Sequence, residues 1–209
     1  MPLICIKEVN HYCYWGIWEI KEDLEELLEM VDLSVEDVAE FEEVHNEIKK
    51  LEWLAGKLMV KSLVERCGAR YKGINKDEVG KPFLNKLNYH ISLAHSQKYV
   101  TGIINFRSSV GIDVEKIKPK VLNVQNKFLS LKEIENAGED LETLTMYWCG
   151  KEALYKLFGK KGIIFSRDLF VDLNKSSTKC SGFIYSEKMA FTKDVIIERI
   201  EDYIIALAL

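Results

Sequence analysis

The stretch YHISLAHSQKYVTGIINFRSSVGIDVEKI, residues 89–117, holds two strand patterns, a break and a third strand pattern. Tyr89 to Ala94 and Tyr99 to Phe106 are dense in β-branched and aromatic residues, which predicts two paired strands joined by a turn that carries His95 and Ser96. Val110 to Glu115 predicts another short strand. Between them Arg107, Ser108 and Ser109 interrupt the apolar pattern, so the chain is expected to divide into residues 1–107 and 108–209.

Outward from this stretch, each side repeats one order of elements. On the N-terminal side, residues 3–7 and 12–20 read as strands. An acidic helical stretch follows, broken near Leu33 and restarted by Ser34 as a cap. Ile48, Leu51, Leu54, Ala55, Leu58, Met59 and Ser62 then recur at helical spacing, with Gly68 as the stop and Lys50, Lys57 and Lys61 expected on the opposite, solvated side. A Gly80-Lys81-Pro82 turn precedes the strand pair. On the C-terminal side a helix-rich middle runs from about Val121 to Phe158, with Ser130 capping a piece that ends near Gly138. Strands are expected at 168–173, 181–186 and, as one apolar run, 195–208. Strands, helices and strands in each half predict an α+β fold of two similar halves, although the halves share no detectable sequence repeat.

Composition sets the class. The chain has 209 residues, of which 47% are apolar and 30% charged, and only three prolines. This supports a hydrophobic core and argues against both a disordered chain and one embedded in a membrane. The N-terminus has no basic leader ahead of a long apolar run, so a cytoplasmic protein is expected. The net charge of −4 is unevenly spread: residues 21–47 carry twelve acids against one base, a local −11 that leaves +7 on the remainder. Residues 49–72 hold seven lysines and arginines against two glutamates. Such asymmetry points to an anionic partner at the basic part, or to solvated helices of opposite sign leaning on each other. Five cysteines, Cys5, Cys13, Cys67, Cys149 and Cys180, form no CxxC pair, and are expected as small buried hydrophobes rather than as a zinc cage or disulfide framework.

Three segments carry residue types suited to chemistry. In GIDVEKI, 111–117, strand alternation puts Asp113 and Glu115 on one face and Ile112 and Val114 in the core. Two carboxylates on one face suit a hard cation such as Mg²⁺, and equally suit a strand end entering solvent. In WCGKEALYKLFGKKG, 148–162, Trp148, Glu152 and Lys156 fall at i, i+4 and i+8 on one helix face. Glu152 and Lys156 form either a plain ion pair or a third carboxylate and a phosphate-neutralising cation. In SLAHSQKYV, 92–100, His95 and Ser96 at a strand end are either structural or donors to phosphate oxygens.

The ordered set GKP (80–82), SLAHS (92–96), GIDVE (111–115) and WCGKEALYK (148–156) resembles the 4'-phosphopantetheinyl transferase superfamily, in its longer, two-half type, over roughly residues 50–165. The resemblance implies an enzyme of the holo-[acyl-carrier-protein] synthase type, with its active site in the cleft between two similar α/β halves. Such an enzyme moves 4'-phosphopantetheine from coenzyme A to a serine of an acyl or peptidyl carrier protein and releases 3',5'-ADP. It implies Mg²⁺ on Asp113, Glu115 and Glu152, and catalytic roles for Asp113, Glu152 as base and Lys156 as a phosphate contact. Coenzyme A contacts are implied at Lys81 with its neighbour Pro82, at His95 and Ser96, and at Lys156, placing the coenzyme side in residues 1–107 and the metal side in 108–209. Two departures stand out. Glu52 occupies the place of an arginine used on the coenzyme's 3'-phosphate, which leaves Lys49, Lys50 or Lys57 to substitute, and Ala94 replaces a serine beside the histidine. A monomer with no nucleic-acid or membrane partner is expected. A non-catalytic module that binds coenzyme A or a carrier protein, and a metal-dependent phosphohydrolase, are the competing classes.

Overall fold

The computed structural model describes residues 3–173, 178–186 and 189–209. The chain divides into two compact units, Met1–Ser108 and Ser109–Leu209. In the first, β1 (Leu3–Asn10) and β2 (Cys13–Glu19) form a hairpin, and α1 (Leu24–Met30), α2 (Val35–Glu43) and α3 (Glu47–Arg66) follow. Short strands β3 (Ile74–Lys76) and β4 (Pro82–Leu84) lead into β5 (His90–Ser96) and β6 (Tyr99–Asn105). The sheet is antiparallel in the order β1-β2-β6-β5-β4-β3. Every residue of β6 is buried, and α3 packs across it with Leu54, Leu58, Met59 and Leu63. Gly16 and Gly102 face each other in the register beneath Met59, where a side chain on either would press into the helix.

The second unit repeats the plan. Strand β7 (Gly111–Lys116) precedes a 3₁₀ turn at Pro119–Val121 and helices α4 (Gln125–Phe128), α5 (Leu131–Ala137), α6 (Leu141–Phe158) and α7 (Phe165–Asp168). The chain ends in β8 (Leu169–Asp172), β9 (Lys179–Ser186), β10 (Met189–Ile200) and β11 (Tyr203–Ala208). Its antiparallel sheet runs β7-β11-β10-β9-β8, with α6 packed against β7 and against the wholly buried β11.

The helix starts have local causes. Asp23 with Glu26, Ser34 with Asp37, and Ser130 with Glu133 form reciprocal capping boxes that satisfy backbone N–H groups which would otherwise lack partners. Gly68 and Gly138 take positive φ just beyond α3 and α5, ending both. The 195–208 run proves to be two strands, β10 and β11, which turn at Glu201 with φ of 52°. Apolar periodicity does not show that turn, because Ile200 and Tyr203 flank only two polar residues. The expectation that Lys57 faces solvent is corrected: α3 is covered on more than its apolar stripe, so Lys57 is 6% exposed, whereas Ile48, assigned to the stripe, is 59% exposed. His95 and Ser96 are the last residues of β5, paired with Val100 and Tyr99, and not part of the turn. All five thiols are free, with Cys13 and Cys149 buried.

Gly111 fixes how closely α6 approaches β7. A Cβ there would overlap Ala153 O and stand 2.7 Å from Leu157 N, both helix backbone, so no rotamer change relieves the clash. Gly111→Ala is therefore expected to destabilise the second unit by about 2–3 kcal/mol, read as a lowered urea midpoint. A midpoint unchanged within error would show that α6 moves away freely.

Candidate functional site

In the second unit β7 and α6 bring the expected residues into one neighbourhood. Ile112 and Val114 lie in the core as alternation requires, while Asp113, only 5% exposed, stands on the other face of β7. Lys156 Nζ reaches across from the last turns of α6, donating to Asp113 Oδ1 at 2.7 Å and to Ile112 O at 3.1 Å. Glu115 Oε1 accepts a 3.0 Å bond from Trp148 Nε1. Trp148 is itself fixed between the rings of Phe128, 5.0 Å away, and Phe165, 5.7 Å away.

The electrostatics follow from crowding of like charge. Burial, and then the charge of Asp113, push the Glu152 carboxyl up to about 7, against the opposing pull of Lys156. Glu115 is raised by burial and by Asp113, with the Trp148 bond opposing. Burial and the same two acids, Asp113 and Glu115, hold the Cys149 thiol protonated, and its Sγ donates to Ile204 O. Glu115 and Glu152 therefore both feel the charge of Asp113.

Two observations bear on whether a hard cation fits. Asp113 Oδ2 is buried without a hydrogen-bond partner, an arrangement that costs free energy unless something else meets that oxygen. The donor set is all oxygen, which suits Mg²⁺ rather than zinc or copper. Asp113 and Glu115 are meanwhile engaged by Lys156 and Trp148, and among the described residues no three acidic, histidine or cysteine side chains already converge as a metal cage. The residues fit Mg²⁺ in chemistry and in their one unpartnered oxygen; the present rotamers are those of an ion-paired site.

Sequence reasoning passed over the support beneath these groups. Lys151, the neighbour of Glu152, has no exposed surface and spends its ammonium on Phe128 O (2.7 Å), Glu133 Oε2 (2.7 Å) and Phe165 O (3.1 Å). Glu133 also accepts from Ser130 and, through Oε1, from Val171 N. The S-x-x-E spacing of Ser130 and Glu133 was the available signal.

The first unit holds a pocket of about 660 Å³, lined on one side by α3 and on others by α2, β3, β5 and the 80–82 turn. Lys49, Lys57, His95 and Pro82, all expected at the coenzyme, line it together with Glu52 and Ala94. Lys81 and Ser96 are not among the described lining residues; Lys81 is half-buried, and burial lowers its ammonium. Lys50 instead lies over the Phe41 ring at 4.8 Å.

A model of the 4'-phosphopantetheinyl transferase superfamily matches residues 109–208, the stretch that contains Asp113, Glu115, Trp148, Glu152 and Lys156. Through that stretch the chain is similar to the 4'-phosphopantetheinyl transferase superfamily. Among curated relatives of this superfamily, 4'-phosphopantetheinyl transferase psf-1 of Bacillus pumilus is 35% identical over 97 residues, covering 44% of this chain and 41% of the relative. The 4'-phosphopantetheinyl transferase Sfp of Bacillus subtilis (strain 168) is 32% identical over 127 residues, covering 56% and 55%. The chain thus spans about half the length of the curated relatives it matches. The α+β architecture, with an antiparallel sheet and long helix in each unit, accords with the superfamily fold. No helix among the described residues is long and apolar enough to cross a membrane.

Proposed function

We propose that this chain transfers 4'-phosphopantetheine from coenzyme A to a serine of an acyl or peptidyl carrier protein, releasing 3',5'-ADP. The observation that carries the reading is Asp113 with its unpartnered buried oxygen, crowded by Glu115 and Glu152 and bonded to Lys156, inside the stretch that matches the superfamily. Relatives named as 4'-phosphopantetheinyl transferases support it.

In this reading Asp113, Glu115 and Glu152 hold Mg²⁺, which when bound supplies positive charge against phosphate oxygens. Lys156 adds a second positive charge beside Asp113. Glu152, whose carboxyl burial and Asp113 push up to about 7, is poised to take the proton of the carrier serine hydroxyl, directly or through a water. The serine oxygen forms a bond to the phosphorus that bears pantetheine, and the bond to the departing 3',5'-ADP breaks, with no enzyme nucleophile required. The first unit's pocket, with Lys49, Lys57, Pro82 and His95, takes part of the coenzyme, and Lys81 and Ser96 stand on its flanking elements. The carrier served, and so the division between holo-[acyl-carrier-protein] synthase and broader transferases, is a question of the docking partner. A cytoplasmic monomer is the working state.

The deciding experiment incubates the chain with coenzyme A, Mg²⁺ and a panel of apo acyl and peptidyl carrier proteins, followed by intact-mass spectrometry. A carrier that gains the mass of phosphopantetheine, and loses the gain when its serine is alanine, is the expected result. No gain on any carrier, with coenzyme A still bound, would favour the non-catalytic binding module.

A further inference from the structure

The pocket of the first unit is balanced in charge before any ligand arrives. Lys49 ends on Glu52 at 2.6 Å, Lys57 on Asp37, and Lys76 on Glu40 at 2.5 Å, so its three lysines meet three carboxylates. His95 Nδ1 lies 3.1 Å from the same Glu52 oxygen that Lys49 holds. Glu52 is only 5% exposed and projects from α3 into the lining.

A buried carboxylate in a pocket wall acts on a ligand in two ways. It repels a nearby anion, and it occupies donors that the anion would otherwise take. Lys49 and His95, the pocket's cationic and N–H donors on that side, each turn one nitrogen contact to Glu52. A phosphate placed against them shares them with a carboxylate that cannot leave the pocket. The penalty scales with the charge of the ligand at this end and hardly with its size. The remaining lining, including Trp53, Pro82 and Leu93, offers apolar surface that suits a flat heterocycle without demanding charge.

Resting on the coenzyme reading above, we propose that Glu52 is a specificity-determining residue. It sets this pocket to accept a nucleotide end of reduced negative charge, so that the ribose phosphate of coenzyme A adds nothing to binding and dephospho-coenzyme A serves as well.

The test is calorimetric titration of the full chain, in Mg²⁺, with coenzyme A and with dephospho-coenzyme A, for the parent and for Glu52→Gln. Glutamine keeps an oxygen acceptor for Lys49 and His95 while removing the charge. The parent is expected to bind the two ligands within about threefold of each other. Glu52→Gln is expected to tighten coenzyme A by about tenfold, the effect of one partly screened unit charge, and dephospho-coenzyme A by less than about threefold. A parent that prefers coenzyme A by more than about tenfold overturns the proposal while leaving the coenzyme reading intact, as does a variant that shifts both ligands equally. Failure of both ligands to bind the parent overturns the coenzyme reading and this inference with it. Because the parent's own ratio needs no variant, the test stands even if Glu52→Gln does not fold.

Discussion

Asp113→Ala is expected to lower phosphopantetheine transfer by about a thousandfold or more while leaving the protein folded. Two arguments combine. Asp113 is the carboxylate with a buried, unpartnered oxygen, and its charge is the largest raising influence after burial on both Glu115 and Glu152. In the proposed site it is therefore the group through which the other two acids are coupled to a cation. Raising Mg²⁺ is not expected to restore activity, since mass action does not replace a missing ligand atom. Stability moves differently. Removing one of three crowded acids relieves repulsion and a buried unsatisfied oxygen, and the ion pair lost is that of Lys156, which keeps its bond to Ile112 O. The melting temperature should hold or rise. Transfer is read by carrier mass across a Mg²⁺ titration, and folding by thermal unfolding of the same sample. Near-normal turnover would remove Asp113 from the site, and a collapsed melting temperature would make its role structural.

Features that depend on short-range pattern were legible in the sequence. Ser34 and Ser130 as caps, Gly68 and Gly138 as stops, and the alternation that separates Asp113 from Ile112 and Val114 follow from local chemistry alone. Features that depend on what packs against a helix from elsewhere were not. Lys57 lies on what periodicity marks as the solvated side of α3, yet in the fold it sits over Trp53 at 4.3 Å and pairs with Asp37 of α2. The acidic segment 21–47 likewise had no evident use. Part of it now has one, since Asp37 and Glu40 neutralise Lys57 and Lys76 at the pocket, which is the leaning of opposite charges that the asymmetry allowed. Others, such as Glu25 and Glu29, face solvent. Glu52 was visible as a departure from the superfamily pattern, but that one oxygen holds both Lys49 and His95 is a tertiary fact.

The same limit hid Lys151, and its substitution carries the largest expected cost in stability. Lys151→Met preserves length and helix propensity, so any effect comes from the ammonium. That group lies wholly inside the second unit, where burial disfavours its charge and Glu133 supports it. Its three N–H donors meet the end of α4, the first turn of α5 and α7, so one side chain ties three short elements to α6. Methionine leaves the two carbonyls and, more seriously, the carboxylate of Glu133 buried with one cation fewer. Breaking a buried pair from one side costs about 3–5 kcal/mol, a large part of the stability of a domain this size. The expected result is a cooperative loss of the second unit at much lower urea, with transfer lost because Trp148 and Glu152 sit on the same helix. Pairing the change with Glu133→Gln separates the causes: if the orphaned carboxylate is the cost, the double variant regains a substantial part of the lost stability. If the double variant is as unstable as Lys151→Met, the cost instead lies in the carbonyls of Phe128 and Phe165, and the lysine matters as a clamp on α4 and α7 rather than as the partner of Glu133.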